Sequence, residues 1–212
     1  MLLRILGLII SASVLIWGSV VHAQARPLTL VALGDSLTAG YMLPAADAFP
    51  ARLEAALRAS GRDVRIINAG VSGDTATAGL DRLDWSVPDG TDGVILELGA
   101  NDALRGIDPA ITEAALDAII TLLNARKIPV FLAGMAAPRN NGAEYVAKFD
   151  ALYLRLAQKH NVPLYPFFLD GVVGDPALNL PDMLHPNSAG VGVIVSRILP
   201  SITLFVDRLA QK

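Results

Sequence analysis

The chain has no cysteine in its 212 residues. That excludes a disulfide framework, a thiolate nucleophile, a cysteine-ligated zinc and a lipid-modified cysteine anchor. Positive charge is also short: 17 Lys and Arg stand against 20 Asp and Glu, a formal net charge of -3. This balance offers no basic surface for nucleic acid or an anionic membrane, so neither is expected as a partner. Histidine is scarce, with three in all, which narrows the search for an imidazole base. Long apolar runs are missing too, apart from one at the N-terminus.

That run extends from Ile5 to Val21, with Arg4 as the only charge before it. It ends in the small-residue exits Val21-His22-Ala23 and Ala23-Gln24-Ala25. Charged start, apolar middle and small-residue exit are the order of a secretory signal. The run falls short of the ~20 residues a spanning helix needs, and Gly18 and Ser19 weaken it further. The expectation is a signal over residues 1–25, cleaved after Ala23 or Ala25, and one domain over 26–212. The mature chain is then exported, periplasmic or secreted, monomeric and without a stable membrane span.

After the signal, apolar runs alternate with helix-period segments. The runs 28–34, 64–70, 94–99, 130–134 and 162–167 are bounded by turn residues, as strands buried on both faces are. Between them Phe49, Leu53, Ala56 and Leu57 share a helix face, as do Ala115, Leu116, Ile119, Ile120 and Leu123 behind Asp108 and Pro109. Val146, Phe149, Tyr153 and Leu156 make a third stripe, and Val191, Ile194, Val195, Ile198 and Leu199 a fourth, which Pro200 should kink or break. Alternation of this kind implies an α/β fold with a mostly parallel sheet and helices on both faces. In such sheets ligands bind beyond the carboxyl ends of the strands.

The polar residues that follow the strands are therefore the ones to weigh. They are Gly34-Asp35-Ser36, then Gly70 with Ser72-Gly73-Asp74, then Gly99-Ala100-Asn101-Asp102, and late in the chain Asp182-Met183-Leu184-His185. A serine hydroxyl needs a base. His22 leaves with the signal, and His160 in Lys-His-Asn reads as a solvated histidine at a helix end. His185 remains, with Asp182 close enough to orient its ring. Donors for a developing oxyanion could come from the Ser36 and Gly70 amides and the Asn101 side chain. Each motif alone also reads as a turn or helix cap. Asp35 and Asp102 read as supports bonding nearby loops, and Asp74 and Ser72 as turn and cap residues. Asp182 and His185 could be two metal ligands, but no third ligand shows the spacing, so no metal is expected.

Together, Gly34-Asp35-Ser36-Leu37, Gly70, Gly99-x-Asn101-Asp102 and Asp182-x-x-His185 resemble the four blocks of the SGNH hydrolases, also called GDSL esterases and lipases. The runs GDSLTAGYMLP, NAGVSGDT, LELGANDALRG and DMLHPN are similar to the branch holding arylesterases and multifunctional thioesterase/lysophospholipases. The resemblance implies a flavodoxin-like three-layer α/β/α sandwich whose five strands are parallel. It implies Ser36 as nucleophile, His185 as base and then acid, Asp182 as its orienting partner, and Ser36, Gly70 and Asn101 around the oxyanion. Thr38 stands where an α/β-hydrolase nucleophile elbow has its second glycine, which argues against that other fold.

The expected reaction is hydrolysis of a small-molecule acyl ester or thioester, without metal or organic cofactor. Tyr41, Met42, Leu43, Leu178, Leu180, Met183 and Leu184 would form an apolar lip suited to short or medium acyl or aryl groups, or to a lysophospholipid. The same fold would also serve a carbohydrate O-acetylesterase, an acyltransferase or an exported small-molecule binding module.

Overall fold

In the computed structural model, which describes residues 26–211, strands β1 (Leu28–Gly34), β2 (Val64–Gly70), β3 (Gly93–Glu97), β4 (Val130–Ala133) and β5 (Leu164–Tyr165) form one parallel sheet in the order β2-β1-β3-β4-β5. The helices are α1 (Ser36–Ala39), α2 (Phe49–Ala59), α3 (Ala76–Asp81), α4 (Leu83–Ser86), α5 (Ala100–Leu104), α6 (Pro109–Ala125), α7 (Ala143–His160) and α8 (Ser188–Leu209). α2 and α8 pack together on one face, and α3, α6 and α7 on the other. The result is a three-layer α/β/α sandwich. The signal expected over residues 1–25 lies outside the described residues.

β1 sits inside the sheet, paired with β2 and β3. Leu30, Val31 and Leu33 are wholly buried there, each side chain contributing roughly 1.5–3 kcal/mol of apolar burial. The chain steps from β1 to β2 on one side and then back across to β3 on the other. The crevice at that reversal lies past the carboxyl ends of β1 and β3, and Ser36 and Asn101 follow those two ends.

Local chemistry explains the helix starts. Asp108 caps α6 by accepting from Ala110 N–H, with Pro109 opening the helix, and Asn187 caps α8 by accepting from Gly190 N–H.

Two expectations need correcting. The fifth strand shrinks to Leu164–Tyr165 and is only half-buried. It lies at the edge between Pro163 and Pro166, which have no N–H for a ladder. Pro200 does not break α8, which runs on to Leu209. Pro200 itself faces solvent, while Ile194 and Ile198 before it and Ile202, Phe205 and Val206 after it are held in the core. α8 is long and apolar enough to cross a membrane, the one such helix among the described residues. Its apolar side is the packing face of the α2–α8 layer.

Candidate active site

β1 ends at Gly34, and the chain turns at once into the short helix α1. Asp35 caps that turn, its Oδ1 accepting Leu37 N–H at 2.9 Å. This raises Ser36 to the first helical position, where an N–H has no partner inside the helix. From far along the chain the 182–185 turn reaches the same point. His185 Nε2 lies 2.9 Å from Ser36 Oγ, and His185 Nδ1 lies 2.7 Å from Asp182 Oδ2. Asp182 Oδ1 also accepts the N–H groups of Leu184 at 2.9 Å and His185 at 3.0 Å. One carboxylate thus shapes the turn and orients the ring. These bonds, led by the Leu184 N–H, hold the Asp182 carboxyl down at about 2. An ionised Asp182 can only accept, so the proton of neutral His185 sits on Nδ1 and Nε2 is free to take the serine's.

The Tyr41 ring lies against His185, with centroids 4.4 Å apart and the planes tilted by 35°.

Asn101 stands at the start of α5. Its Nδ2 donates to Asp35 Oδ2 at 3.0 Å and to the Asp74 carbonyl at 2.9 Å. Both amide hydrogens are therefore committed in the free enzyme, and an oxyanion would share one of them. Asp35 is fully buried, and burial pushes its carboxyl up to about 6. Asp102, also buried, accepts from Ala76 N–H at 2.9 Å and Thr112 Oγ at 3.0 Å. It ties α5 to α3 and α6.

Gly70 is held to glycine by its packing against α1. A side chain there would collide with the backbone of Ala39 in α1, and its N–H already donates to Asn68 Oδ1 at 3.0 Å. Three residues on, in the turn that ends at Asp74, no acceptor takes the Gly73 N–H among the described residues.

Two buried charges escaped the sequence reading. The Arg82 guanidinium pairs with Asp74 through Nε and donates from Nη2 to the Gly34 carbonyl at 2.8 Å. It fastens the loop after β2 to the end of β1, and nothing in its sequence context signals this. Glu97 closes β3 with no exposed surface. Its signal was a lone carboxylate inside the run Val94–Gly99 read as buried on both faces. Burial, then the neighbouring Asp35, drive the Glu97 carboxyl well above the usual range. His160, read as solvated, is instead nearly covered and lies 2.6 Å from Asp117, beside the entry ends of β4 and β5. That is the far end of the sheet from Ser36.

Residues 32–193 match the GDSL-like Lipase/Acylhydrolase family. The chain belongs to this family. It is 40% identical over 158 residues to an arylesterase of Vibrio mimicus, covering 74% of this chain and 79% of the relative. It is 39% identical over 160 residues to thioesterase 1/protease 1/lysophospholipase L1 of Escherichia coli K12, covering 75% and 76%. Among solved structures it superposes on AlinE4, an SGNH-hydrolase family esterase, with a TM-score of 0.73 and 45% identity over 85% of this chain and 97% of that one. As an SGNH esterase the chain is a serine ester hydrolase, and the binding-module alternative falls away.

Proposed function

We propose that Ser36, His185 and Asp182 form the catalytic triad of a two-step hydrolysis of short to medium acyl or aryl esters and thioesters. The observation that carries this reading is the unbroken hydrogen-bonded line from Ser36 Oγ through His185 to Asp182. Ser36 attacks the carbonyl carbon while His185 Nε2 takes its proton. The tetrahedral oxyanion collapses, and the leaving alcohol or thiol departs with that proton. Water then attacks the acyl-enzyme by the same route and restores Ser36. Asp182 never gives up its charge; it holds the ring and stabilises the imidazolium.

The oxyanion takes the Ser36 N–H and one hydrogen of Asn101 Nδ2. With the Gly70 N–H on Asn68, the third donor is the Gly73 N–H, one of the unclaimed amides of that loop among the described residues and next to the Asp74 carbonyl that holds Asn101. Losing one such donor costs roughly 3–4 kcal/mol of transition-state stabilisation.

Exposed Tyr41, Met42, Met183 and Leu184, with Val71, form the apolar lip for the acyl or aryl group. Leu43 and Leu178 pack on the core and anchor the loops instead. The lip is open, and the thioesterase/lysophospholipase relative extends the candidate substrates to acyl thioesters and lysophospholipids. Residues 1–25 direct export, and the mature chain works as a monomer with α8 as a core helix.

The test is intact-mass analysis after a fluorophosphonate probe, on mature protein and on Ser36→Ala, followed by a chain-length series of acyl esters and thioesters. One adduct on the wild type, absent from a folded Ser36→Ala, is expected. A folded wild type that takes no adduct, or a variant that still turns over, would overturn the assignment.

A further inference from the structure

Glu97 has no part in the acyl transfer written above, yet it lies directly beneath the nucleophile. The strand register sets it opposite Gly34, the residue before Asp35-Ser36. Its Oε2 lies 2.6 Å from the Thr38 hydroxyl oxygen and 3.4 Å from the Asp35 amide nitrogen. Its Oε1 is buried without a partner among the described residues. The fit is close: a methyl group on Gly34 would collide with Thr38 Oγ and come within 2.6 Å of Glu97 Oε2. The glycine of the Gly-Asp-Ser block is thus the space through which Glu97 reaches Thr38.

Two carboxyls, Asp35 and Glu97, share this dry pocket, and like charges so placed do not both ionise. Their partners differ. Asp35 accepts from Leu37 N–H and Asn101 Nδ2, and His185 faces it from the 182–185 turn. Glu97 has the Thr38 hydroxyl and, more weakly, the amides of Asp35 and Thr38, all on the side of Oε2. An ionised Glu97 would leave half its charge on Oε1 with no donor, whereas a neutral acid carries its proton on Oε2, donating it to Thr38 Oγ, and leaves only a carbonyl oxygen at Oε1. The other groups nearby do not change this ordering: Arg82 is committed to Asp74 and the Gly34 carbonyl, Tyr153 Oη donates to the Leu98 carbonyl, and Asp102 is held by Ala76 and Thr112.

We propose that Glu97 is a positioning residue for Ser36, acting as a neutral acid that clamps the Asp35–Thr38 turn from below and leaves the negative charge of this buried pair to Asp35. The proposal rests on Ser36 as nucleophile. It goes beyond the triad in assigning what holds the nucleophile turn at the right height.

The experiment compares wild type with Glu97→Gln, Glu97→Leu and Thr38→Val, using a chromogenic short acyl ester across pH and infrared spectra at pH 8. A protonated carboxyl stretch should be present in the wild type and lost in Glu97→Gln. Glu97→Gln, neutral and of the same shape, should keep kcat within about threefold and leave the acid limb of the pH profile in place. Glu97→Leu should lose kcat about tenfold or more with KM little changed, as a misplaced nucleophile does. Thr38→Val should lose a similar factor, and combining Glu97→Leu with Thr38→Val should cost no more than either change alone. If Glu97→Leu does not fold, Thr38→Val carries the kinetic test.

Absence of the protonated stretch, an acid limb moved by about one pH unit in Glu97→Gln, or wild-type kcat in Thr38→Val would overturn the proposal. A wild type that neither hydrolyses ester nor takes the fluorophosphonate would instead strike at the Ser36 reading. The infrared band would still report the protonation of Glu97.

Discussion

Replacing Asp35 by Asn separates what this buried carboxylate costs the fold from what it does for the chemistry. Burial raises the Asp35 carboxyl from 3.8 to about 6. An acid raised on folding contributes full stability below its unfolded value and loses it as pH climbs through its folded one. Above pH 6, ionised Asp35 therefore costs about 3 kcal/mol relative to pH below 3.8. Asn carries no such cost. It keeps an oxygen for the Leu37 N–H, but it sets an NH2 group against Asn101 Nδ2 where Oδ2 now accepts at 3.0 Å. The two facing NH2 groups leave a buried donor unsatisfied, which costs about 1–3 kcal/mol. At pH 8 the two effects offset, and Asp35→Asn should lie within about 1.5 kcal/mol of the wild type by urea denaturation. At pH 4 the wild type recovers its cost and the variant cannot, so the variant should fall behind by roughly a further 2–3 kcal/mol. Catalysis follows the other bond. Asn101 loses an anchor, and kcat should drop by up to about 10²-fold. A variant more than about 4 kcal/mol less stable at pH 8, with an unchanged pH slope, would refute the reasoning, because the burial cost of Asp35 would then not exist.

Asp182→Asn keeps an oxygen for the Leu184 and His185 amides but turns an NH2 toward His185 Nδ1. The ring then holds the wrong tautomer, and kcat should fall roughly 10³–10⁴-fold at near-normal thermal stability. A loss under about tenfold would contradict the assigned role. Tyr41 lies against the His185 ring and, in the proposed mechanism, would face the imidazolium formed when Ser36 gives up its proton. Tyr41→Ala should lower kcat/KM by about 2- to 30-fold and Tyr41→Phe should leave it alone, the range set by a cation–π contact. Equal losses in both would point to the hydroxyl. Gly34→Ala drives a methyl into Thr38 and Glu97, and chemical denaturation should show about 3 kcal/mol or more of destabilisation. Normal stability would mean that the Glu97–Thr38 contact is not tight.

Much of the site was legible because its chemistry is local in sequence. Gly-Asp-Ser after an apolar run, Asn101 after another, and Asp182 three residues before His185 each announce a polar group at a strand end or a tight turn. The same holds for the Asp108–Pro109 and Asn187 helix starts, where one side chain bonds an amide two or three residues on. Hidden features depended on contacts between distant segments. Gly70 packs against Ala39 of α1, a contact between separate elements that its own sequence context does not signal. Pro200 carried its usual helix-breaking meaning until the core residues on both sides held α8 together.

Short stretches of sequence were enough for the alternation of strand and helix, the candidate base His185 and the four polar blocks, because hydrophobic period, capping and residue census are local properties. The tertiary structure alone decided that His185 meets Ser36 from 149 residues away and that Arg82 locks the loop after β2 to Gly34. It also decided that Glu97 and Asp35 share one dry pocket. Those outcomes depend on strand order and register, which place residues far apart in the chain within a few ångströms and remove water from between them. The cost of a charge in that pocket follows from its burial, and no stretch of sequence records it.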